Sequence, residues 1–381
     1  MHREITSKLE KATLKDNNRM HLYSKLMLAA SLFLLPLSVM SETFDTDSTD
    51  VQTTEESWVK RNLKKLKTFV DTRAVRRANP DYLELPKYGW RVAVTSNFAG
   101  IGASVKGHNI PTYQSINIDM HSNLSGQTSI LVGYRSLSLS YSFDMAKGYS
   151  SDFNLSCLNS QFGIEYRSHT TYGLHGTLDA TATPQSLPVS KNDTRLRATI
   201  INGYYVFNSR KYSLPAAMKQ SLIQKRSAGS LTAYGVILSA KLTSKNGTLS
   251  KMLGGLKQIE FYQAAVGLGY GYNYTPNRGR LLIHASAAPL IVFYNKNFLT
   301  ADAAIPLPDG SSYNTEISKE VSTKHHYFLT GVARASVFYT FNPHFYIGSN
   351  ALINDIRFDS ASGVEMRMDD WIVNATLGFR F

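Results

Sequence analysis

From Trp90 to the C-terminus the chain is dominated by a period of two. The closing segment WIVNATLGFRF puts Trp371, Val373, Ala375, Leu377, Phe379 and Phe381 on one face and Asn374, Thr376, Gly378 and Arg380 on the other. That is a strand with one apolar and one polar surface. In SLSLSYSFD, Leu137, Leu139, Tyr141 and Phe143 alternate with serines and Asp144. A wall of inward serines makes a poor protein core but a good lining for a wet lumen, with the apolar partners facing lipid. In EFYQAAVGLGYGYNY, Tyr262, Ala264, Val266, Leu268, Tyr270, Tyr272 and Tyr274 share one face. Tyrosines at both ends of an apolar stripe match aromatic belts at two membrane interfaces.

Ten further segments alternate: Trp90 to Ala99, Tyr113 to His121, Thr128 to Arg135, Ser160 to Ser168, Tyr172 to Thr181, Arg195 to Phe207, Leu231 to Leu242, Leu281 to Phe293, His326 to Phe341 and Phe345 to Phe358. With the three above they make thirteen. A single-chain barrel with both ends on one side of the membrane needs an even number, so about twelve strands are expected. The connections differ in length: Ser209 to Ser230 and Lys296 to Lys324 are long, while Arg135-Ser136, Thr275 to Gly279 and Asn342-Pro343 are tight. Long loops on one side and short turns on the other are the habit of a membrane barrel. The expectation is an all-β fold: an antiparallel transmembrane β-barrel of about twelve strands over residues 88–381, preceded by a short N-terminal amphipathic helix.

The N-terminal quarter reads differently. LMLAASLFLLPLSVM, Leu26 to Met40, is too short for a membrane helix and suits a secretory signal, giving a signal peptide over 1–41 with Met20 as an alternative start. Residues 42–56 form an acidic, Thr- and Ser-rich leader expected to be disordered. Over 57–80, Val59, Leu63, Leu66 and Val70 fall on one side of a helix and Lys60, Arg61, Lys64, Lys65 and Lys67 on the other, a periplasmic basic amphipathic helix with Ser57 as N-cap.

Composition narrows the chemistry. Charged residues are only 18% of the chain against 43% hydrophobic, and the net charge is +13. This basic balance suits an anionic lipid surface; no nucleic-acid module is recognisable, so outer-membrane lipid is the expected partner and nucleic acid is not. Cys157 is the single cysteine, which excludes an intramolecular disulfide framework.

The stretch VDTRAVRRANPDYLELPKYGWRVAV, the SLSLSYSFD strand and above all FNSRKYSLPAAMKQSLIQKRSAGSLTAYG resemble the Bacteroidetes family catalogued as domain of unknown function 4421, from about Asp71 to Phe381. The resemblance implies an exported barrel-like protein. It supplies no activity, substrate or catalytic residues.

On these face assignments the lumen carries Arg91, Arg135, Asp144, Glu165, Arg167, His175, Asp179, Arg195, Arg197, Lys241, His284, Arg334 and Arg380. The candidates for ligand contact among them are Arg167, Arg195, Arg197, His175 and His284. Opposite charges inside a barrel pair with one another more readily than they catalyse. No GxSxG, HExxH or Gly-rich phosphate loop is present, and no catalytic residue is assigned. His325 and His326 point to opposite faces of a strand, so no metal is expected, nor any cofactor. Leu214 to Ser227 is helix-like: Gln220, Gln224 and Ser227 at i, i+4 and i+7 form a polar face beside Lys219, Lys225 and Arg226, able to constrict the lumen or contact an anionic ligand. The terminal aromatics Phe379 and Phe381 resemble the signal by which the barrel-assembly machinery recognises its clients. The function expected is an outer-membrane barrel acting as a passive channel, ligand binder or structural envelope protein. The alternatives are a barrel enzyme acting on lipid or ester substrates through inward histidines and carboxylates, and a soluble secreted β-protein.

Overall fold

The computed structural model describes residues 78–381 apart from 111–112, 123–124, 145–149, 173, 181–184, 190–192, 246–249, 251–255, 277, 307–311, 322–326 and 360–363, together with Lys65, Thr68, Thr72, Val75 and Arg77 upstream. The expected signal peptide, acidic leader and His325-His326 pair lie outside the described residues, as does most of the expected amphipathic helix.

In chain order the strands are β1 (Leu83–Glu84), β2 (Trp90–Ile110), β3 (Tyr113–Ser122), β4 (Ser125–Tyr134), β5 (Leu137–Asp144), β6 (Ser150–Leu158), β7 (Phe162–Tyr172), β8 (Leu174–Ala180) and β9 (Gln185–Val189). They continue as β10 (Thr194–Val206), β11 (Ile223–Gln224), β12 (Ala228–Ser244), β13 (Leu256–Tyr274), β14 (Leu281–Pro306), β15 (Ser312–Val321), β16 (Phe328–Thr340), β17 (Phe345–Asp359) and β18 (Val364–Arg380). One short helix, α1 (Leu214–Lys219), lies between β10 and β11.

Twelve strands form an antiparallel ring in the order β2, β4, β5, β6, β7, β10, β12, β13, β14, β16, β17, β18, and β18 returns to pair with β2. The ring leaves no unpaired edge, which a lipid-embedded sheet cannot tolerate. The remaining strands lie off the ring. β3 pairs the extension of β2, β8 pairs β3, β9 pairs β8, and β15 pairs the extension of β14. The expected count of twelve is met by different strands. Tyr113 to His121 and Tyr172 to Thr181 alternate but end in this outer extension, apart from Tyr172 itself, which closes β7, and β6 escaped notice. Its inward residues are Asp152, Asn154 and Ser156, and its outward set mixes Phe153 and Leu155 with Ser151 and Cys157, so no clean apolar stripe marks it.

The tight turns at Arg135-Ser136, Thr275 to Gly279 and Asn342-Pro343 lie at one end of the ring, beside Trp90 and Phe381. The long 207–227 connection, expected among the long loops, lies there too. It is long because it folds into the barrel, not because it extends away from it.

The outward face is apolar. Val94, Ile130, Ile164, Ile237, Val266, Leu268, Ile347 and Leu377 are each about half exposed, while inward Ser138, Ser142, Gln127 and Thr232 are buried. This inside-out pattern is selected by lipid and not by water. It argues against a soluble sandwich, whose inward faces are apolar. An aromatic girdle rings the short-turn end. Tyr205 and Phe207, Tyr339 and Phe341, and the Phe345, Phe379, Phe381 series stack or meet edge-on, and Tyr270, Tyr272 and Tyr274 continue it outward.

Toward the opposite end the polarity inverts within single strands. On β10, Ile201 and Tyr205 face out with Asn202 inward, but one turn of the pleat higher Leu196, Ala198 and Ile200 face in while Arg197 is exposed. On β12 the outward apolar set ends at Ile237, and Leu238, Ala240 and Leu242 turn inward. On β13 Ile259 and Phe261 are inward, and Glu260 is outward. The switch is in register, since Ile200 pairs with Leu238 and Leu238 with Gln263. From Gln263 to Tyr274, eleven steps of about 3.3 Å tilted by about 40° give roughly 28 Å, close to the ~25 Å apolar band of a membrane barrel. The inward apolar residues above the switch meet Ile101 and Met368 from the facing wall, and Met120 and Leu174 from the β3–β8 extension, in one cluster. A packed layer therefore crosses the lumen near its outer rim.

An arginine on the outward face at mid-band must lose its hydration, whereas one above the switch keeps it. Leu268→Arg is expected to lower the unfolding free energy in vesicles by about 2–4 kcal/mol and Ser239→Arg by about 1 or less. Denaturant titration of both variants checks this, and equal losses would move the membrane boundary.

Candidate functional site

The segment 207–227 fills the lumen at the short-turn end. Ser213, in extended conformation, caps α1 by accepting from the Ala216 amide at 3.1 Å, and Pro215 occupies the first turn, where its missing N–H costs nothing. The helix stops after Lys219 because Gln220 turns left-handed, with φ of 53°. The i, i+4, i+7 polar face expected from Gln220 to Ser227 therefore does not form. Gln224 instead sits on β11, which pairs with β1, so that Leu83 faces Gln224 and Glu84 faces Ile223.

Gln224 holds the plug together. Its Oε1 accepts from the Ser213 amide and from Asn273 Nδ2, both at 3.0 Å, and its Nε2 donates to the carbonyls of Lys211 and Arg226. Asn273 Nδ2 also reaches the Ser213 carbonyl at 2.8 Å, and its Oδ1 meets His284 Nδ1 at 2.8 Å, while His284 Nε2 meets Ser286 Oγ at 3.0 Å. Ser336 Oγ donates to the Ala217 carbonyl at 2.7 Å, and Arg380 Nη2 donates to the Gln220 carbonyl and Oε1. Gly271 leaves the slot that the Tyr212 ring occupies, since a Cβ there would meet its oxygen at 2.3 Å. Burial raises the Tyr212 phenol well above its ordinary range.

Above the helix tip lies a cavity of about 110 Å³. Lys219 points into it, 3.5 Å from Glu165 and 3.4 Å from Asn154 Oδ1. Glu165 also accepts from Asn154 Nδ2 at 2.9 Å and faces Arg334 at 3.7 Å. Toward the rim, Arg167 binds Asp152 through Nε and Nη2 at 3.0 and 2.8 Å and reaches Asp370 through Nη1 at 3.0 Å. His169 Nδ1 lies 2.9 Å from the same Asp152, and Asn354 donates to Asp370. β7 and β18, which carry Arg167 and Asp370, stand five places apart in a ring of twelve. The same holds for Glu165 on β7 and Arg334 on β16. These pairs cross the lumen and brace opposite walls. The amide oxygens of Asn97 and Asn374, register partners across β2 and β18, line the cavity wall without a protein partner.

The expected site residues divide accordingly. Arg167, Lys219 and Glu165 come together at the cavity, with Arg334. Gln220, Gln224 and His284 are buried in the plug contacts. Lys225 pairs with Glu84 at 3.3 Å and Arg226 is exposed beside the Tyr82 ring, so both lie away from the cavity. Arg195, Arg197 and Lys241 face outward and not into the lumen: Arg195 lies over the Tyr172 ring, and Lys241 pairs with Glu260. They sit above the polarity switch, where polar side chains belong outside. His175 and Asp179 are on β8, off the ring. Asp152, His169 and Asp370 escaped the sequence, the first with its unrecognised strand. The other two lie one residue beyond the bounds read for their strands, Ser160 to Ser168 and Trp371 to Phe381, and alternation in any case gives a residue's face and not its partner across the lumen.

Removing Arg167 leaves Asp152 and Asp370 buried with fewer partners. Arg167→Met is expected to destabilise the barrel by about 3–5 kcal/mol, and Arg334→Met by less, because its contact with Glu165 is longer. Unfolding in guanidinium checks the order, and a neutral Arg167→Met would show that the bridge is dispensable.

Several solved structures are similar to this chain at low scores. The outer membrane protease OmpT from Escherichia coli aligns with 78% of this chain and 97% of its own at 9% identity and a TM-score of 0.39. The beta domain of the Bordetella autotransporter BrkA aligns with 77% and 100% at 10% identity and 0.30. A Pseudomonas aeruginosa FadL homologue aligns with 77% and 90% at 11% identity and 0.25. At such scores nothing is carried from them to this chain. No curated protein matches it in sequence. The family described as "Domain of unknown function (DUF4421)" matches residues 70–381, and the protein belongs to that family.

Proposed function

We propose that this protein is an outer-membrane barrel that holds a small hydrophilic solute in a closed lumen and does not act as an open diffusion pore. The observation that carries this is the position of the 110 Å³ polar cavity between two seals, the 207–227 plug on one side and the apolar cluster of Ile101, Leu174, Leu196, Leu238 and Met368 on the other. Arg167, Lys219 and Arg334 line it with Asp152 and Glu165, Asp370 behind Arg167 completes the charge balance, and the free amide oxygens of Asn97 and Asn374 favour a neutral or zwitterionic ligand that donates hydrogen bonds. Turnover of lipid or ester by inward histidines has less support, because both His284 ring nitrogens are engaged and His175 lies off the ring.

Export through a signal peptide over 1–41 into a Bacteroidetes-type envelope, with residues 57–80 on the periplasmic side, belongs to the same proposal. So does recognition of Phe379 and Phe381 by the barrel-assembly machinery. Both rings face outward in the girdle, 38% and 41% exposed, where a partner can reach them.

In planar bilayers the refolded protein is expected to give no steady conductance at moderate voltage. Stable open steps from the unmodified chain would overturn the closed-lumen proposal. Deletion of Phe381 is expected to reduce outer-membrane assembly in cells more than it reduces the stability of refolded protein. Equal losses in the two assays would count against the recognition role.

A further inference from the structure

The lumen's charges do not all balance. Arg167, Arg334 and Lys219 face Asp152, Asp370 and Glu165, but two more buried cations, Arg91 and Arg380, have no carboxylate contact among the described residues. They are register partners on β2 and β18, directly opposite one another at the seam, and they are only 3% and 1% exposed. Like charges opposite one another destabilise a sheet, and burying an unpaired charge costs more still. An arginine cannot escape by losing its proton.

Their partners are neutral. Arg91 donates to the carbonyls of Arg135 and Leu137, and Arg380 donates to Gln220 through Nη2 alone. Nε of Arg91 and both Nε and Nη1 of Arg380 are buried with no partner. The surroundings are shaped around these groups. A Cβ at Gly133 would stand 2.8 Å from the Arg91 guanidinium carbon, so the guanidinium lies directly against this glycine. The Tyr346 ring lies 4.6 Å from the Arg380 guanidinium, over the space that Gly378 leaves open.

We propose that Arg91 and Arg380 form a binding site for one small oxyanion, of the phosphate or carboxylate class, at the short-turn end of the seam. The planar guanidinium fork matches two oxygens of such an anion, and a single negative charge there would relieve the repulsion across β2 and β18. Neither arginine lines the 110 Å³ cavity, and the site stands or falls independently of the solute proposed for that cavity.

The test uses the full mature chain refolded in detergent, with inorganic phosphate and acetate as probes. Equilibrium dialysis is expected to show saturable binding of one anion per chain, and thermal unfolding is expected to shift upward in phosphate relative to chloride at equal ionic strength. Both effects should vanish in Arg380→Gln and in Arg91→Gln. If a lipid headgroup supplies the phosphate, one lipid phosphorus per chain should survive delipidation of the unmodified protein and be absent from Arg380→Gln. Arginine side-chain nitrogen NMR of the unmodified chain gives a readout independent of whether the variants fold, with two Nε signals expected to move as phosphate is added. Binding that persists in both variants would overturn the site. So would an unmodified chain that takes up neither probe and retains no lipid phosphorus.

Discussion

The pairing of β18 with β2 is the constraint on which the rest of this structure depends. In hydrocarbon an open sheet edge exposes a row of backbone N–H and C=O groups with nothing to bond to, and each costs several kcal/mol. The seam runs unbroken from Val364 opposite Gly107 to Arg380 opposite Arg91. Once it closes, every second side chain is committed to an interior that lipid cannot reach, and that interior has to satisfy itself. The Arg167 bridge between Asp152 and Asp370 does this from opposite walls. Twelve strands about 4.8 Å apart at a tilt near 40° would give a round barrel about 24 Å across. An arginine and an aspartate do not span that distance, so the walls come closer where they meet, and the lumen is a set of packed layers.

A single strand here serves two solvents. Below the Ile200–Leu238 level β10, β12 and β13 turn apolar residues outward, and above it they turn them inward. The physical rule is the same on both sides: apolar surface goes wherever water is not. Below the switch lipid takes it, and above the switch the facing wall does. This explains why the outer rim is sealed by aliphatic side chains while the mid-barrel is lined by amides, hydroxyls and ions.

How much of this was legible in the sequence follows from that rule. Where one solvent regime holds along a strand, as in SLSLSYSFD or WIVNATLGFRF, alternation gave the correct face for every residue. Where the regime changes mid-strand, as in RLRATIINGYY, the rule that polar residues face inward fails above the switch although the pleat continues unbroken, and that is why Arg195, Arg197 and Lys241 lie outside and not in the lumen. Alternation also cannot tell a ring strand from one paired outside it, which is why Tyr113 to His121 read as part of the barrel. The plug was visible as a polar, helix-like stretch, but its helix ends at Gln220. Of the partners that hold Gln224, Ser213, Lys211 and Arg226 are local, but Asn273, which ties it to the wall, comes from a strand some fifty residues away. The pairing of Arg167 with Asp152 and Asp370 had no local signal, since nothing in a sequence records which strands face each other across a lumen.

The plug and the seam are energetically one object. α1 ends on carbonyls that the helix itself cannot satisfy, and the Gln220 carbonyl at that end is met by Arg380 of β18, a strand of the seam. The same side chain reaches Gln220 Oε1 and stacks on Tyr346 of β17. Without the seam Arg380 has no fixed position from which to reach the plug, and without the plug its guanidinium loses its hydrogen-bond acceptor inside the barrel. Each of the two steps therefore removes a cost from the other, so docking of the plug and closure of the ring stabilise one another. Ser336 on β16 and Asn273 on β13 extend the coupling to the far wall. A barrel held this way is not a rigid cylinder with a removable stopper. Displacing the plug disturbs the seam and several ring strands at once.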